Sequence, residues 1–140
     1  MASELEVDKI SGTTTAGSIS VTGEGNSTTT NLQQGLCKAW VQFDGTATDA
    51  AARDSNNVSS MTDHSTGTYS VNFTNNMAND DYSFAMSGSQ TATGQPISTG
   101  DSGHQTVVAV SSLKFSLVAT GTYSVTDCNI GTAMIIGDLA

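Results

Sequence analysis

Large apolar side chains, basic residues and proline are all scarce in this chain of 140 residues. Leu, Ile, Val and Phe together supply 26 residues, only four residues are basic, and proline occurs once. Thirteen acidic residues give a formal net charge of −9, so no basic patch exists to neutralise phosphate groups. This charge argues against nucleic-acid partners and against anionic membrane surfaces. The longest apolar runs, such as Val107–Val110, have four residues, far short of the ~20 that span a bilayer.

Serine and threonine replace the missing large side chains and supply 40 of the 140 residues. The length is that of one ordinary domain, whose core here has to be built from few large side chains. We therefore expect a thin core that gains stability when an oligomer shares it. We expect Cys37 and Cys128 to be buried thiols and not a disulfide, because the chain begins with acidic residues (Glu4, Glu6, Asp8) where a secretory leader is basic.

The composition divides the chain into residues 1–36 and 37–140. In the first part, Leu5, Val7 and Ile10 alternate with acidic residues, and stretches rich in Gly, Ser and Thr follow with almost nothing to bury. We predict an extended N-terminal arm with one or two strands. Its apolar residues Leu5, Val7 and Ile10 are the predicted docking contacts with another subunit or another protein.

Residues 37–140 show the period-two alternation of β-strands, in runs of four to eight residues bounded by Gly, Asn, Asp or Ser. The spacing predicts an all-β fold, an antiparallel β-sandwich of jelly-roll-like type. Only residues 47–53 have a helical composition, and seven residues are too few for a stable helix. The predicted inward-facing residues are Ala39, Val41, Phe43, Tyr69, Val71, Phe73, Tyr82, Phe84, Met86, Leu113, Phe115, Leu117, Tyr123 and Val125.

One hexapeptide occurs twice, as Thr66-Gly-Thr-Tyr-Ser-Val71 and as Thr120-Gly-Thr-Tyr-Ser-Val125. Each copy predicts a strand, a turn that contains Gly, and a second strand that begins near Tyr, which together make a β-hairpin. A twofold ligand site is the alternative. We favour the architectural interpretation, because both tyrosines lie in phase with predicted core positions.

Candidate catalytic and metal-binding residues are few. Asp101-Ser102-Gly103 matches the Asp-Ser/Thr-Gly of aspartic proteases, but the apolar strands that hold such a loop are missing here. The two histidines, His64 and His104, lie in predicted turns away from any nucleophile motif. Asn79-Asp80-Asp81 would suit calcium, although a solvated turn is the simpler interpretation. We therefore expect no enzymatic activity and no cofactor, and the sequence does not decide whether calcium binds at an oligomer axis.

The segment 87–103 lacks apolar periodicity over 17 residues, which in a β-scaffold is typical of a functional or mobile loop. We predict a recognition loop at the exposed end of the domain. Its neutral donors and acceptors suit sugar hydroxyls. The candidate contact residues are Gln90, Thr93, Gln95, Asp101 and His104.

Apolar residues near the C-terminus predict an oligomer interface. Met134, Ile135, Ile136 and Leu139 lie close to the end of the chain, where we expect their own domain to cover them poorly. Trp40 lies on the polar side of its strand, and an outward tryptophan is often an interface anchor. We expect these five residues to be contacts of a homotrimer.

Four stretches occur together in one order: Lys38-Ala-Trp-Val-Gln-Phe-Asp-Gly-Thr46, Ala52-Arg-Asp-Ser-Asn-Asn-Val-Ser-Ser-Met-Thr-Asp63, Gly67-Thr-Tyr-Ser-Val-Asn-Phe-Thr74 and Asn79-Asp-Asp-Tyr82. This block resembles one found in short tail-fibre-like or structural virion proteins of marine and aquatic tailed bacteriophages. The opening Leu5-Glu-Val-Asp-Lys-Ile10 is similar to the N-terminal tag of such proteins. The resemblance covers residues 4–10 and 38–84, under half of the chain. It departs at Ala50-Ala-Ala52, where larger β-branched residues are expected.

The resemblance implies a non-enzymatic structural protein of a phage virion, made in the host cytoplasm. We expect a trimeric tail-fibre-type appendage involved in host attachment. The alternative is a capsid decoration protein that clamps neighbouring capsid subunits with its arm, and a secreted glycan-binding module that uses the 87–103 loop is a third hypothesis. The expected partners are further copies of the chain, other virion proteins and a host surface glycan. No nucleic-acid binding and no membrane insertion are expected.

Overall fold

The computed structural model of the chain describes residues 5–12, 19–23, 27–90, 96–99, 106–122 and 124–140. The chain divides into two units, Met1–Leu36 and Cys37–Ala140. In the first unit, strands β1 (Ser20–Thr22) and β2 (Thr29–Asn31) pair antiparallel. One helical turn, α1 (Leu32–Gly35), follows, and the Asn31 side chain caps it by accepting from the amide of Gln34 at 3.1 Å.

The second unit is built from antiparallel strands. Within the described residues, the strand order is β4-β3-β11-β7-β8-β10-β6-β5, and β9 pairs with β10 beside β8. The strands are β3 (Cys37–Asp44), β4 (Ala51–Asn56), β5 (Val58–Ser65), β6 (Thr68–Phe73), β7 (Ser83–Ser89), β8 (Pro96–Thr99), β9 (Val107–Ala109), β10 (Ser112–Ala119) and β11 (Ile130–Ile136).

The strands fold into two layers around one core, because every second side chain of the central strands is apolar. Inward residues of β3 and β11 meet inward residues of β6 and β10. The Phe43 ring lies 5.1 Å from the Tyr69 ring and 6.0 Å from the Phe115 ring, measured between centroids. Strand β8 links the layers on one side through its pairing with β7 and β10. The predicted all-β, sandwich-like fold is confirmed.

Two tight turns join β4 to β5 and β5 to β6. Asn57, with φ 56°, separates β4 from β5, and its side chain accepts from the Asn75 amide at 2.8 Å. Gly67, with φ 66°, lies in the turn between β5 and β6. Both residues adopt the left-handed conformation, which glycine and asparagine adopt at the lowest cost.

The core residues predicted from alternation are largely confirmed. Ala39, Val41, Phe43, Tyr69, Val71, Phe73, Tyr82, Leu113, Phe115 and Leu117 are buried, and Phe84 and Met86 pack against the core from partly buried positions. The first hexapeptide forms the predicted hairpin of β5 and β6. In the second, Val125 forms only an isolated bridge with Val118, and Tyr123 lies outside the described residues.

The stretch 47–53, judged too short for a stable helix, forms none: residues 51–53 belong to strand β4, and the one helix of the described residues is α1. Lys38, two residues before Trp40 in β3, is only 6% exposed although it is charged. The loop predicted over 87–103 is partly wrong. Within the predicted loop 87–103, residues 87–89 belong to β7 and Pro96–Thr99 form β8, because neighbouring strands satisfy their backbone groups. Proline is tolerated there as the first residue of a strand.

Candidate functional surface

The outer face formed by β5, β6 and β10 is polar, and its side chains bond to one another. Asn72 Nδ2 donates to Ser60 Oγ and to Thr62 Oγ1, each at 3.0 Å. The hydroxyl oxygens of Thr68 and Ser116 lie 3.1 Å apart. A face whose polar groups are satisfied by neighbours and water is stable in contact with solvent.

This polar face also brings a histidine to a serine. His64 Nε2 lies 2.9 Å from Ser70 Oγ, and His64 belongs to β5, not to a turn as predicted. The distance is that of a nucleophile and its base. However, Ser70 is only 7% exposed, and no carboxylate among the described residues forms a hydrogen bond with the His64 ring. The pair therefore lacks the acid that orients the base in a catalytic triad.

The opposite outer face, formed by β3, β11 and β7, is apolar at its centre. Trp40 pairs with Met134, and Met134 pairs with Ala85, so that these side chains form a row across three strands. Trp40 is 36% exposed and Met134 is 44% exposed. Ile136, two residues further along β11, is 38% exposed. We call these four residues, Trp40, Ala85, Met134 and Ile136, the Trp40 patch.

A shallow groove of about 450 Å³ begins at Trp40, Ala85 and Met134 of the patch, and Ile136 lies outside its lining. Gln42, Ser87 and Thr132 line it beside the apolar row. The hydroxyl oxygens of Ser87 and Thr132 lie 2.9 Å apart and bond to each other. The groove therefore offers mainly apolar contact to an occupant.

The predicted oligomer contacts differ in their exposure to solvent. Trp40, Met134 and Ile136 are exposed on one face. Ile135 is fully buried, because its position in β11 points into the core of its own unit, so its assignment as an oligomer contact is wrong. Leu139 is partly buried against the same core and forms a bridge with Met77.

The three docking residues predicted in the N-terminal arm are strongly exposed. Leu5 is 80% exposed, Val7 53% and Ile10 58%. Residues 5–12 belong to no strand or helix. These side chains are thus available to a partner, and their docking role stays a prediction.

The predicted recognition residues are described only at Gln90. Its Nε2 donates to Thr126 Oγ1, which ties the end of β7 to the segment before β11. Thr93, Gln95, Asp101 and His104 lie outside the described residues, as does Asp101-Ser102-Gly103.

A part-buried hydrogen-bond cluster that the sequence analysis did not find ties the β5–β6 turn to Asp127. Asp127 Oδ1 accepts from Tyr69 Oη at 2.8 Å and from the Gly67 amide at 2.6 Å. Tyr69 Oη also donates to the Gly45 carbonyl at 3.1 Å. Burial, followed by the bond to Asp127, raises the pKa of Tyr69. This cluster is structural, because its groups satisfy one another.

The two cysteines are free thiols, as expected. Cys128 is buried, and burial raises the pKa of its thiol to about 11, whereas Cys37 is only half-buried. No group of three or more His, Cys, Asp or Glu side chains that could hold a metal ion occurs among the described residues. At the candidate calcium segment, the Asn79 side chain accepts from the Asp81 amide at 3.0 Å.

Comparisons of this chain with protein-family models, with curated proteins and with solved structures found no match. No helix in the described part of the chain is long and apolar enough to cross a membrane. The class of protein that the geometry defines is an all-β, sandwich-like unit with one polar and one apolar outer face.

Proposed function

We propose that this chain is a non-enzymatic structural protein of a bacteriophage virion, a homotrimeric tail-fibre-type appendage that takes part in host attachment. The observation that best supports the proposal is the difference between the two outer faces. One face has a self-bonded polar network around Asn72, and the other has the exposed Trp40 patch. Apolar patches of this kind mark interaction surfaces in soluble proteins.

The edge strands of the sheet are poorly suited to pairing with another copy, so the proposed association would use an outer face of the sheet. Strand β4 has a bulge in its pairing with β3, and β5 has two bulges in its pairing with β6. Bulges and charged side chains at edge strands discourage pairing with another chain. The net charge of −9 also repels copies from one another, so that a stable contact has to come mainly from apolar burial.

The resemblance of residues 4–10 and 38–84 to short virion proteins supplies the phage context of the proposal. The exposed Leu5, Val7 and Ile10 supply contacts to neighbouring subunits or other virion proteins. The residues flanking β8 are the proposed contact with a host surface glycan.

Two measurements test the proposal. Light scattering of the purified protein is expected to give a homotrimer of 3 × 14.3 = 42.9 kDa, and a folded monomer at micromolar concentration would contradict it. Antibody labelling and quantification of phage particles are expected to find tens of copies on the tail. Hundreds of copies on the capsid would establish the decoration alternative instead, and absence from particles would refute a virion role.

A variant of the arm separates its docking role from folding. Replacing Leu5, Val7 and Ile10 together with Ser is expected to leave the circular dichroism spectrum unchanged, because the core found in the described residues includes no residue before Ala39. The same variant is expected to abolish incorporation into particles. Val21→Ser, which alters another exposed apolar residue of the same unit, is the matched control. Normal incorporation of the triple variant would rule out docking through these side chains.

A further inference from the structure

We propose that residues 5–10 of a second copy of this chain bind over the Trp40 patch. The inference rests on the proposed self-association and names the segment that this surface receives. The arm of each copy would then cover the apolar face of its neighbour.

The arm has the pattern that such a site requires. Leu5, at 80%, is the most exposed large apolar side chain in the described residues, and Val7 is 53% exposed. In an extended chain, Leu5 and Val7 point to one side while Glu6 and Asp8 point to the other. The segment can therefore bury Leu5 and Val7 and leave both carboxylates in water, while Ile10, in phase with the carboxylates, points away from the contact.

The spacing of the arm matches the spacing of the patch. Side chains two residues apart on one face of an extended chain are separated by roughly 6.8 Å. Met134 and Ile136 have this separation along β11, as do Leu5 and Val7 in an extended arm. An arm that runs along β11 would place one apolar side chain near each, with Trp40 and Ala85 on either side of Met134.

Two other occupants fit the groove less well. Face-to-face packing of two copies would bring together the carboxylates of Asp54, which lies on β4 next to Gln42 at the margin of the groove. A sugar needs free hydrogen-bonding groups beside the aromatic ring, but two of the three polar side chains that line the groove, Ser87 and Thr132, already bond to each other. The predominantly apolar lining favours aliphatic side chains.

Trp40 is the single tryptophan of the chain, so its fluorescence reports directly on this surface. In the full-length protein, dilution is expected to shift the emission to longer wavelength as the arm leaves the patch. Replacing Leu5 and Val7 together with Ser, or Met134 with Glu, is expected to weaken self-association by at least about tenfold. Val21→Ser and Val110→Glu change exposed apolar residues elsewhere and are the matched controls.

Mixing the two variants tests the contact between copies. The arm variant retains an intact patch and the Met134→Glu variant retains an intact arm, so an equimolar mixture is expected to form pairs of 2 × 14.3 = 28.6 kDa. Met134→Gln provides a second patch variant if the charge disturbs folding. Higher salt is expected to strengthen the association, because screening reduces repulsion between acidic copies.

Three results would overturn this inference. The arm variant could associate as strongly as the wild type, the mixture could stay monomeric, or the Trp40 emission could be independent of concentration. In each case, the virion proposal is judged separately by labelling of particles, because a protein can occupy a virion without this contact between copies.

Discussion

Replacing Gly67 with Ala tests whether the β5–β6 turn holds the sandwich together. Gly67 has φ 66°, and a Cβ atom there would lie 2.5 Å from the Thr126 amide nitrogen, 2.7 Å from the Thr126 carbonyl oxygen and 3.0 Å from the Leu117 carbonyl oxygen. All three are backbone atoms. The hydrogen bond from the Thr126 amide to the Leu117 carbonyl, at 3.1 Å, would have to open to make room.

The expected cost follows from two contributions. The left-handed conformation costs a non-glycine residue about 1–2 kcal/mol. The displaced backbone loses one or two hydrogen bonds, each contributing about 0.5–1.5 kcal/mol. Gly67→Ala should therefore lower the free energy of unfolding by about 1.5–5 kcal/mol, which for a unit of this size lowers the Tm by roughly 6–25 °C.

The chain contains a matched control for this change. Gly121 occupies the same place in the second copy of the hexapeptide, and a Cβ there would have no heavy atom within 4 Å. Gly121→Ala should change the free energy of unfolding by less than about 1 kcal/mol and could raise it. Urea and thermal unfolding at one protein concentration measure both variants. Equal effects at the two glycines would refute the argument from backbone contact.

Three further predictions concern single side chains. Tyr69→Phe removes the hydroxyl that donates to Asp127 and should lower the free energy of unfolding by about 1–3 kcal/mol in urea titrations. Asp63→Asn should raise the free energy of unfolding at pH 7, because burial and the charge of Asp127 raise the pKa of Asp63 and disfavour its ionised form. In the native protein at pH 8, a thiol reagent should modify Cys37 and spare Cys128, since burial raises the pKa of the Cys128 thiol to about 11.

The effect of Asp63→Asn on the free energy of unfolding should depend on pH. A carboxyl whose pKa is raised by folding binds its proton more tightly in the folded state, so its favourable contribution is present at low pH and is lost as the pH rises through the folded pKa. The stabilisation by Asp63→Asn should therefore shrink as the pH is lowered, and a constant or growing stabilisation would contradict the raised pKa of Asp63.

The other two predictions have equally direct counter-results. If the Tyr69→Phe variant had the same free energy of unfolding as the wild type, the hydrogen bond to Asp127 would contribute nothing to stability. If both Cys37 and Cys128 reacted in the native protein, the prediction of selective modification would be wrong. As a control, both thiols should react in the protein unfolded by urea.

The strands of the core could be predicted from the sequence because apolar side chains occur at every second position, and only one orientation of each strand buries all of them. Ala39, Val41 and Phe43 are apolar at every second position, and turning them outward would expose all three. The exposure of Leu5 and Val7 also follows from the local sequence, since nothing near them can form a core. Local spacing was sufficient in both cases.

The surface of β11 required the tertiary structure. Met134, Ile135 and Ile136 are consecutive apolar residues, so their composition does not say which of them points inward. The pairing of β11 between β3 and β7 buries Ile135 and exposes its two neighbours. Because a shift of one residue in that pairing would reverse the faces, contacts between distant strands determine the Trp40 patch.

Strand β8 and the Asp127 cluster also depend on distant parts of the chain. Pro96–Thr99 has no strand pattern of its own, and its backbone is ordered by hydrogen bonds to β7 and β10. Asp127 meets Tyr69 across 58 positions of sequence. Side-chain periodicity indicates which face of a strand is buried. The hydrogen-bond partners of a strand's backbone, or of a part-buried carboxylate such as Asp127, are determined only by the folding of the whole unit.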